Sequence, residues 1–206
     1  MNGGYGVKVY SLYSDNKHKI NKLVESKNKN IRIIEFSLLK ESNEIPPHFH
    51  PYGEDCAYVL KGELTYYIDT HSTVNLDKGN LAVGWTNLIH GYKNMSDSSV
   101  YFLVFATPED NLTVYPEGND LDIKHILLNR RVYNCLENDI CIASPLSSFK
   151  TLVVDGIYQE LEEKGVFKSF LDLEENILYT FETEKVELKT DKPKKFLKFS
   201  CKDALL

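Results

Sequence analysis

His48 and His50 stand two residues apart in PPHFHPYGEDCAYVLKG (46–62), and two acids, Glu54 and Asp55, follow shortly after. A third histidine, His90, lies further on in GWTNLIHGYKN (84–94). Imidazoles two residues apart with a carboxylate close by are donors that suit a divalent transition metal. In an extended chain residues i and i+2 share a face, so His48 and His50 point together and Phe49 points away. The pair alone is weak, because six histidines among 206 residues give an HxH by chance in about one such sequence in six. His18, His71 and His125 sit in polar or unremarkable surroundings and read as surface or structural residues.

What positions these side chains is a run of short strands. IRIIEFSLL (31–39) is rich in β-branched and aromatic residues, and CAYVLKGELTYYI (56–68) reads as two strands around a tight turn at Lys61-Gly62. STVNL (72–76), NLAVGW (80–85) and SVYFLVFAT (99–107) follow at the regular spacing of an antiparallel sandwich or barrel. Residues 31–107 show no helical period. Beyond them VYPEGND (114–120) reads as a linker, and HILLN (125–129), VYNCL (132–136), DICIA (139–143) and much of 177–200 read as strands. YQELEEKG (158–165) carries good helix formers ending at a glycine and is expected to be a short helix. NKHKINKLVESKNKN (16–30) is polar enough for a surface helix or loop.

With both histidine blocks in order, the chain resembles the cupin superfamily over about residues 31–107. The family's first motif matches His48-x-His50, four residues, Asp55, six residues, Gly62; its second matches Gly79, then Trp85, Asn87, His90 and Asn94. Ser42 stands for the first motif's opening Gly. Trp85 and Asn87 stand where the family has Pro and Gly, and Asn tolerates the left-handed turn that Gly would serve. Asp55 stands where the family has Glu. The resemblance implies an all-β double-stranded β-helix, a jelly-roll barrel, with one divalent metal (Fe, Mn, Ni or Zn) held inside by His48, His50, Asp55 and His90.

Two acids compete for the fourth position. Asp55 keeps the six-residue distance to Gly62 and would share a face with Ala57 and Val59, whereas Glu54 fits a three-residue gap after His50 but leaves seven before Gly62. Asp55 is favoured, with Glu54 as the alternative. Its arm is shorter than that of Glu by about 1.5 Å. Trp85, Tyr58 and Tyr67 are candidates for the substrate pocket, and Asn94 is expected to hold the loop after His90.

The expected organisation is an N-terminal arm (1–30), a cupin barrel (31–113) and a mixed, β-heavy C-terminal extension (114–206). The extension resembles a degenerate second barrel, with a lid over the barrel mouth as the other reading. GVKVYSLY (6–13) is long enough to be a strand exchanged in a homodimer. A net charge of −6 argues against nucleic acid as the main partner. The Lys-rich KPKKFLK (192–198) reads as a solvated strand. No apolar run is long enough to span a bilayer, no secretory leader is evident, and Cys56, Cys135, Cys141 and Cys201 form no CxxC pair, so a cytoplasmic protein with reduced thiols is expected. The resemblance admits a dioxygenase, isomerase or lyase acting on a small polar metabolite. The competing class is a non-catalytic module that binds a small ligand.

Overall fold

A computed structural model describes residues 7–13, 20–25, 31–39, 44–108, 112–116, 130–161, 163, 165–181 and 185–202. The expected strand at 125–129 and the 117–120 part of the expected linker lie outside the described residues. The chain divides into two compact units, residues 15–134 and residues 1–14 with 135–206. No α-helix occurs among the described residues.

The first strand, β1 (Val7–Ser11), belongs to the second of these units. The 15–134 unit begins with β2 (Ile20–Glu25), β3 (Arg32–Leu38), β4 (Ile45–His48) and β5 (Glu54–Lys61). It continues with β6 (Leu64–Tyr67), β7 (Thr73–Leu76), β8 (Asn80–Gly84), β9 (His90–Lys93), β10 (Val100–Thr107) and β11 (Val132–Asn134). A six-stranded sheet in the order β11-β8-β5-β10-β3-β2 is joined by a four-stranded sheet in the order β4-β9-β6-β7, the two-sheet arrangement of a jelly roll.

Alternation along the strands explains how the two sheets share a core. Ile34, Phe36, Ala57, Val59, Ala82, Phe102 and Val104 of the large sheet meet Leu64, Tyr66, Leu76 and Tyr92 of the small one in a single buried cluster. Phe36 stacks on Phe102 with ring centres 5.1 Å apart. Register then orders this face into rows. Ile34, Val104, Ala57 and Ala82 align across four strands, and the next row reads Arg32, Ala106, Asp55, Gly84. The inner face is thus apolar until its last row, where a cation and a carboxylate appear together.

The other unit comprises β1, β12 (Cys141–Ala143), β13 (Ser147–Val154), β14 (Ile157–Leu161), β15 (Val166–Asp172), β16 (Ile177–Phe181), β17 (Lys185–Lys189) and β18 (Lys194–Lys202). Its six-stranded sheet runs β1-β16-β15-β18-β13-β12, and β14 pairs with β17. The central order β16-β15-β18-β13 repeats β8-β5-β10-β3 strand for strand, and the pair β14–β17 repeats β4–β9. Among the described residues the β6–β7 hairpin has no counterpart. Val154, Phe170, Phe181, Val186, Leu188 and Phe196 form its core.

Two expectations change. Residues 158–161, expected as the start of a helix, lie in β14, whose side chains alternate between more and less exposed positions against β17. Helix propensity is a weak preference, and cross-strand pairing overrides it here. Within the polar 16–30 segment, Ile20–Glu25 is a strand on the edge of the large sheet, paired with β3. β1, within the segment expected as an exchangeable strand, pairs with β16, from Val7↔Phe181 to Ser11↔Ile177.

Candidate metal centre

β4 and β9 bring the two histidine blocks together, with His48 directly opposite His90 in the register. Two glycines make the approach possible. A Cβ on Gly91 would lie 2.7 Å from the Ile45 carbonyl oxygen and 2.8 Å from that of Pro46. A Cβ on Gly84 would lie 2.3 Å from the Asp55 carbonyl oxygen and 2.9 Å from both Cγ and Nδ1 of His90. The imidazole of His90 therefore rests in the space that any side chain at residue 84 would take. Asn87 adopts a φ of 63° in the turn before His90, and its N–H donates to the His50 carbonyl at 3.0 Å.

Each imidazole is held from behind by the main chain. Nδ1 of His48 meets the Pro46 carbonyl at 2.8 Å, Nδ1 of His50 the Leu112 carbonyl at 3.2 Å, and Nδ1 of His90 the Leu88 carbonyl at 2.8 Å. A carbonyl only accepts, so each Nδ1 carries the proton, and in the neutral ring Nε2 keeps its lone pair. Nε2 of His50 and Nε2 of His90 are buried with no hydrogen-bond partner among the described residues. The ring centres of His48, His50 and His90 lie 4.4–5.1 Å apart. Asp55 completes the group, with Oδ2 3.4 Å from Nε2 of His50. One donor atom from each of His48, His50, Asp55 and His90 lies within 4.8 Å of all the others.

Protonation favours the same use. Burial drives the pKa of His90 down to about 3 and lowers that of His48, so both rings are neutral at pH 7. Burial also acts to lower His50, but the Asp55 carboxylate outweighs it and the net shift is upward. Burial would raise Asp55; the neighbouring imidazoles of His50 and His90 and the Arg32 guanidinium reverse this and hold it below the usual carboxylate range.

The donor set fits a divalent cation. Two donors on one ion at about 2.1 Å each can be no more than about 4.2 Å apart, so the group needs to contract by at most about 0.6 Å. Backbone carbonyls behind each imidazole are the outer partners that metal-bound histidines use. The residues thus form a His-rich group that could hold a metal ion.

The remaining sequence candidates fall elsewhere. Glu54 is buried, but alternation puts it with Cys56 and Tyr58 on the face of β5 opposite Asp55. Tyr58 is fully buried on that opposite face. Tyr67 lies opposite in the pleat to the core residue Tyr66; its hydroxyl donates to Glu44, and the Lys93 ammonium lies 4.9 Å from its ring centre. Trp85 is half-buried beyond the end of β8. Asn94 holds its loop as expected, donating to the Leu38 and Ser98 carbonyls at 3.0 and 2.8 Å.

Sequence reading missed the segment after β10. Val114 pairs with Phe49 through two 3.0 Å hydrogen bonds, Leu112 orients His50, and the exposed Tyr115 lies 5.8 Å from the His48 ring. It also missed Arg131. This buried guanidinium donates to the Ile68 and Ile89 carbonyls, each at 2.6 Å, and so pins the residue before His90. Proline and glycine in VYPEGND signalled only a linker, and nothing local marks Arg131.

Residues 35–106 match the family model of the cupin domain. Among solved structures, salicylate 1,2-dioxygenase from Pseudaminobacter salicylatoxidans is similar at 10% identity and a TM-score of 0.70, covering 96% of this chain and 84% of that one. A mutant of that enzyme in complex with gentisate is similar at 10% identity and a TM-score of 0.68, covering 96% of this chain and 82% of its own. At such identity the likeness is one of fold: an all-β cupin double-stranded β-helix. No curated protein matches the chain by sequence.

Proposed function

We propose that this chain is a metal-dependent enzyme of the dioxygenase type, acting on a small hydroxylated carboxylate. The observation that carries the reading is the convergence of three imidazoles, each fixed through Nδ1 by a main-chain carbonyl, upon one carboxylate. His48, His50, Asp55 and His90 would hold the ion. When bound, a divalent iron or manganese ion supplies sites for substrate oxygens and for dioxygen, both of whose atoms end in the product.

The chain's own residues suit an anionic substrate. Arg32 stands in the same row and on the same face as Asp55, and its charge acts on both Asp55 and His50. Its Nε is buried without a hydrogen-bond partner among the described residues. A guanidinium placed so would take a substrate carboxylate and orient it toward the histidines. Tyr115, half open to solvent beside His48, would close over a planar ligand. The fold likeness to an enzyme named for salicylate, itself a hydroxylated carboxylate, supports the same class.

The test is oxygen uptake by iron-loaded protein with a panel of aromatic and aliphatic hydroxy acids. Uptake stoichiometric with substrate loss supports the reading. Metal binding without oxygen uptake, but with reversible isomerisation or elimination of the same acids, points to Lewis-acid chemistry on Zn or Ni. Ligand binding without turnover points to the non-catalytic module.

A further inference from the structure

The C-terminal unit carries a polar cluster that the proposed reaction does not use. Glu160, on β14, accepts from Lys168 Nζ at 2.7 Å, from Lys198 Nζ at 2.6 and 2.7 Å, and from the Tyr158 hydroxyl at 2.6 Å. Glu160 and Lys168 come from β14 and β15, the counterparts in strand order of β4 and β5, which carry His48 and Asp55. The cluster opens onto a pocket of about 290 Å³ whose wall includes Ser148, Ser200, Lys168 and Lys198.

Counting donors against acceptors shows what this pocket lacks. A carboxylate has about four lone-pair positions, and Glu160 receives four hydrogen bonds, so its acceptors are saturated. Each ammonium has three N–H groups. Lys168, only 6% exposed, directs them to Glu160 and to the Leu161 carbonyl at 3.2 Å, and among the described residues Lys198 directs its own to Glu160, so each retains donor capacity. Register places Ser148, Ser200 and Lys168 side by side in one row and Lys198 in the next row on the same face. The hydroxyls of Ser148 and Ser200 carry no hydrogen bond among the described residues. Glu163 and Lys202, both exposed, stand at the pocket wall with opposite charges. The floor is therefore rich in donors and cationic by one unit, with two lysines against one glutamate.

We propose that this pocket is a second ligand site, which binds a small oxyanion, a carboxylate or phosphate group, between Lys168, Lys198, Ser148 and Ser200. The ligand oxygens accept from the two hydroxyls and the remaining ammonium hydrogens, while Glu160 holds both lysines in place. The site is separate from the metal centre and needs no metal.

The experiment is calorimetric titration of the full chain with inorganic phosphate and, separately, with glycerate. Saturable binding of either that the double serine variant below weakens supports the site, and the preference between them identifies the source of the oxyanion. The Ser148→Ala/Ser200→Ala double variant, which leaves the ion network whole, should bind about tenfold more weakly. Arg32→Met, which alters a cation near the metal centre, should bind phosphate as the wild type does. The proposal is overturned if neither anion binds saturably up to tens of millimolar, or if phosphate binding falls with Arg32→Met and not with the double serine variant.

Discussion

Gly84→Ala adds one methyl group at a position where the sequence shows only a strand ending in a glycine. The new Cβ would sit 2.3 Å from the Asp55 carbonyl oxygen, which is paired main chain, and 2.9 Å from two atoms of the His90 ring. Ordinary carbon–oxygen contacts are about 3.2 Å or longer, so β5 and β8 would have to part by close to 1 Å, or the imidazole turn aside. Either movement displaces a donor, because Asp55 and His90 both belong to the group of four. Overpacking of this kind costs about 1–3 kcal/mol, and loss of a metal ligand's positioning typically costs about 10–100-fold in affinity. Metal affinity by competition with a chromogenic chelator, alongside thermal unfolding of the metal-free protein, reads the two effects separately. We expect weaker binding by at least tenfold and a Tm lower by several degrees. Wild-type affinity with an unchanged Tm would refute the packing of His90 on Gly84.

Three further outcomes follow from the geometry. Asp55→Asn should lose most bound metal while Glu54→Gln keeps it, since only Asp55 shares the histidines' face; elemental analysis of the two variants decides, and the reverse result would assign Glu54. Arg131→Met should destabilise the fold by about 2–4 kcal/mol in urea unfolding, because two charge-assisted bonds to the Ile68 and Ile89 carbonyls are lost; a change under about 0.5 kcal/mol would contradict that role. Glu160, whose pKa is brought down to about 2 by Lys168, Lys198 and Tyr158 against the opposing effect of burial, is depressed relative to the unfolded chain. Its contribution to stability is complete above the unfolded carboxylate value of about 4.3 and is lost as pH falls toward 2. Unfolding free energies measured from pH 6 to 3 should therefore fall more steeply for the wild type than for Glu160→Gln, and parallel curves would count against the network.

Much of the jelly roll was legible because strands buried on one face write a period of two, and Ile34, Phe36, Ala57, Val59, Phe102 and Val104 keep it. The histidine pair was legible for the same reason, and the choice of Asp55 over Glu54 followed from parity with Ala57. Residues 158–161 misled because Gln, Glu and Leu favour a helix locally, whereas the partner that makes them a strand, β17, lies almost thirty residues on. The lysines of KPKKFLK read as a solvated row, yet Lys194 pairs with Asp172 at 3.1 Å and Lys198 turns inward to Glu160. Their partners belong to other strands, and no local pattern announces them. Leu112, Tyr115 and Arg131 reach the histidines only through long-range contacts, which composition and spacing do not encode.

The central claim is that the converging lone pairs of His48, His50 and His90 hold a divalent ion with Asp55. The most direct measurement is the metal content, by elemental analysis, of wild type and His90→Ala purified without an affinity tag. About one transition-metal ion per chain in the wild type, with most of it lost in the variant, is the expected result. Equal metal content in the two proteins, or none in either after loading with iron, manganese, nickel and zinc, would contradict it.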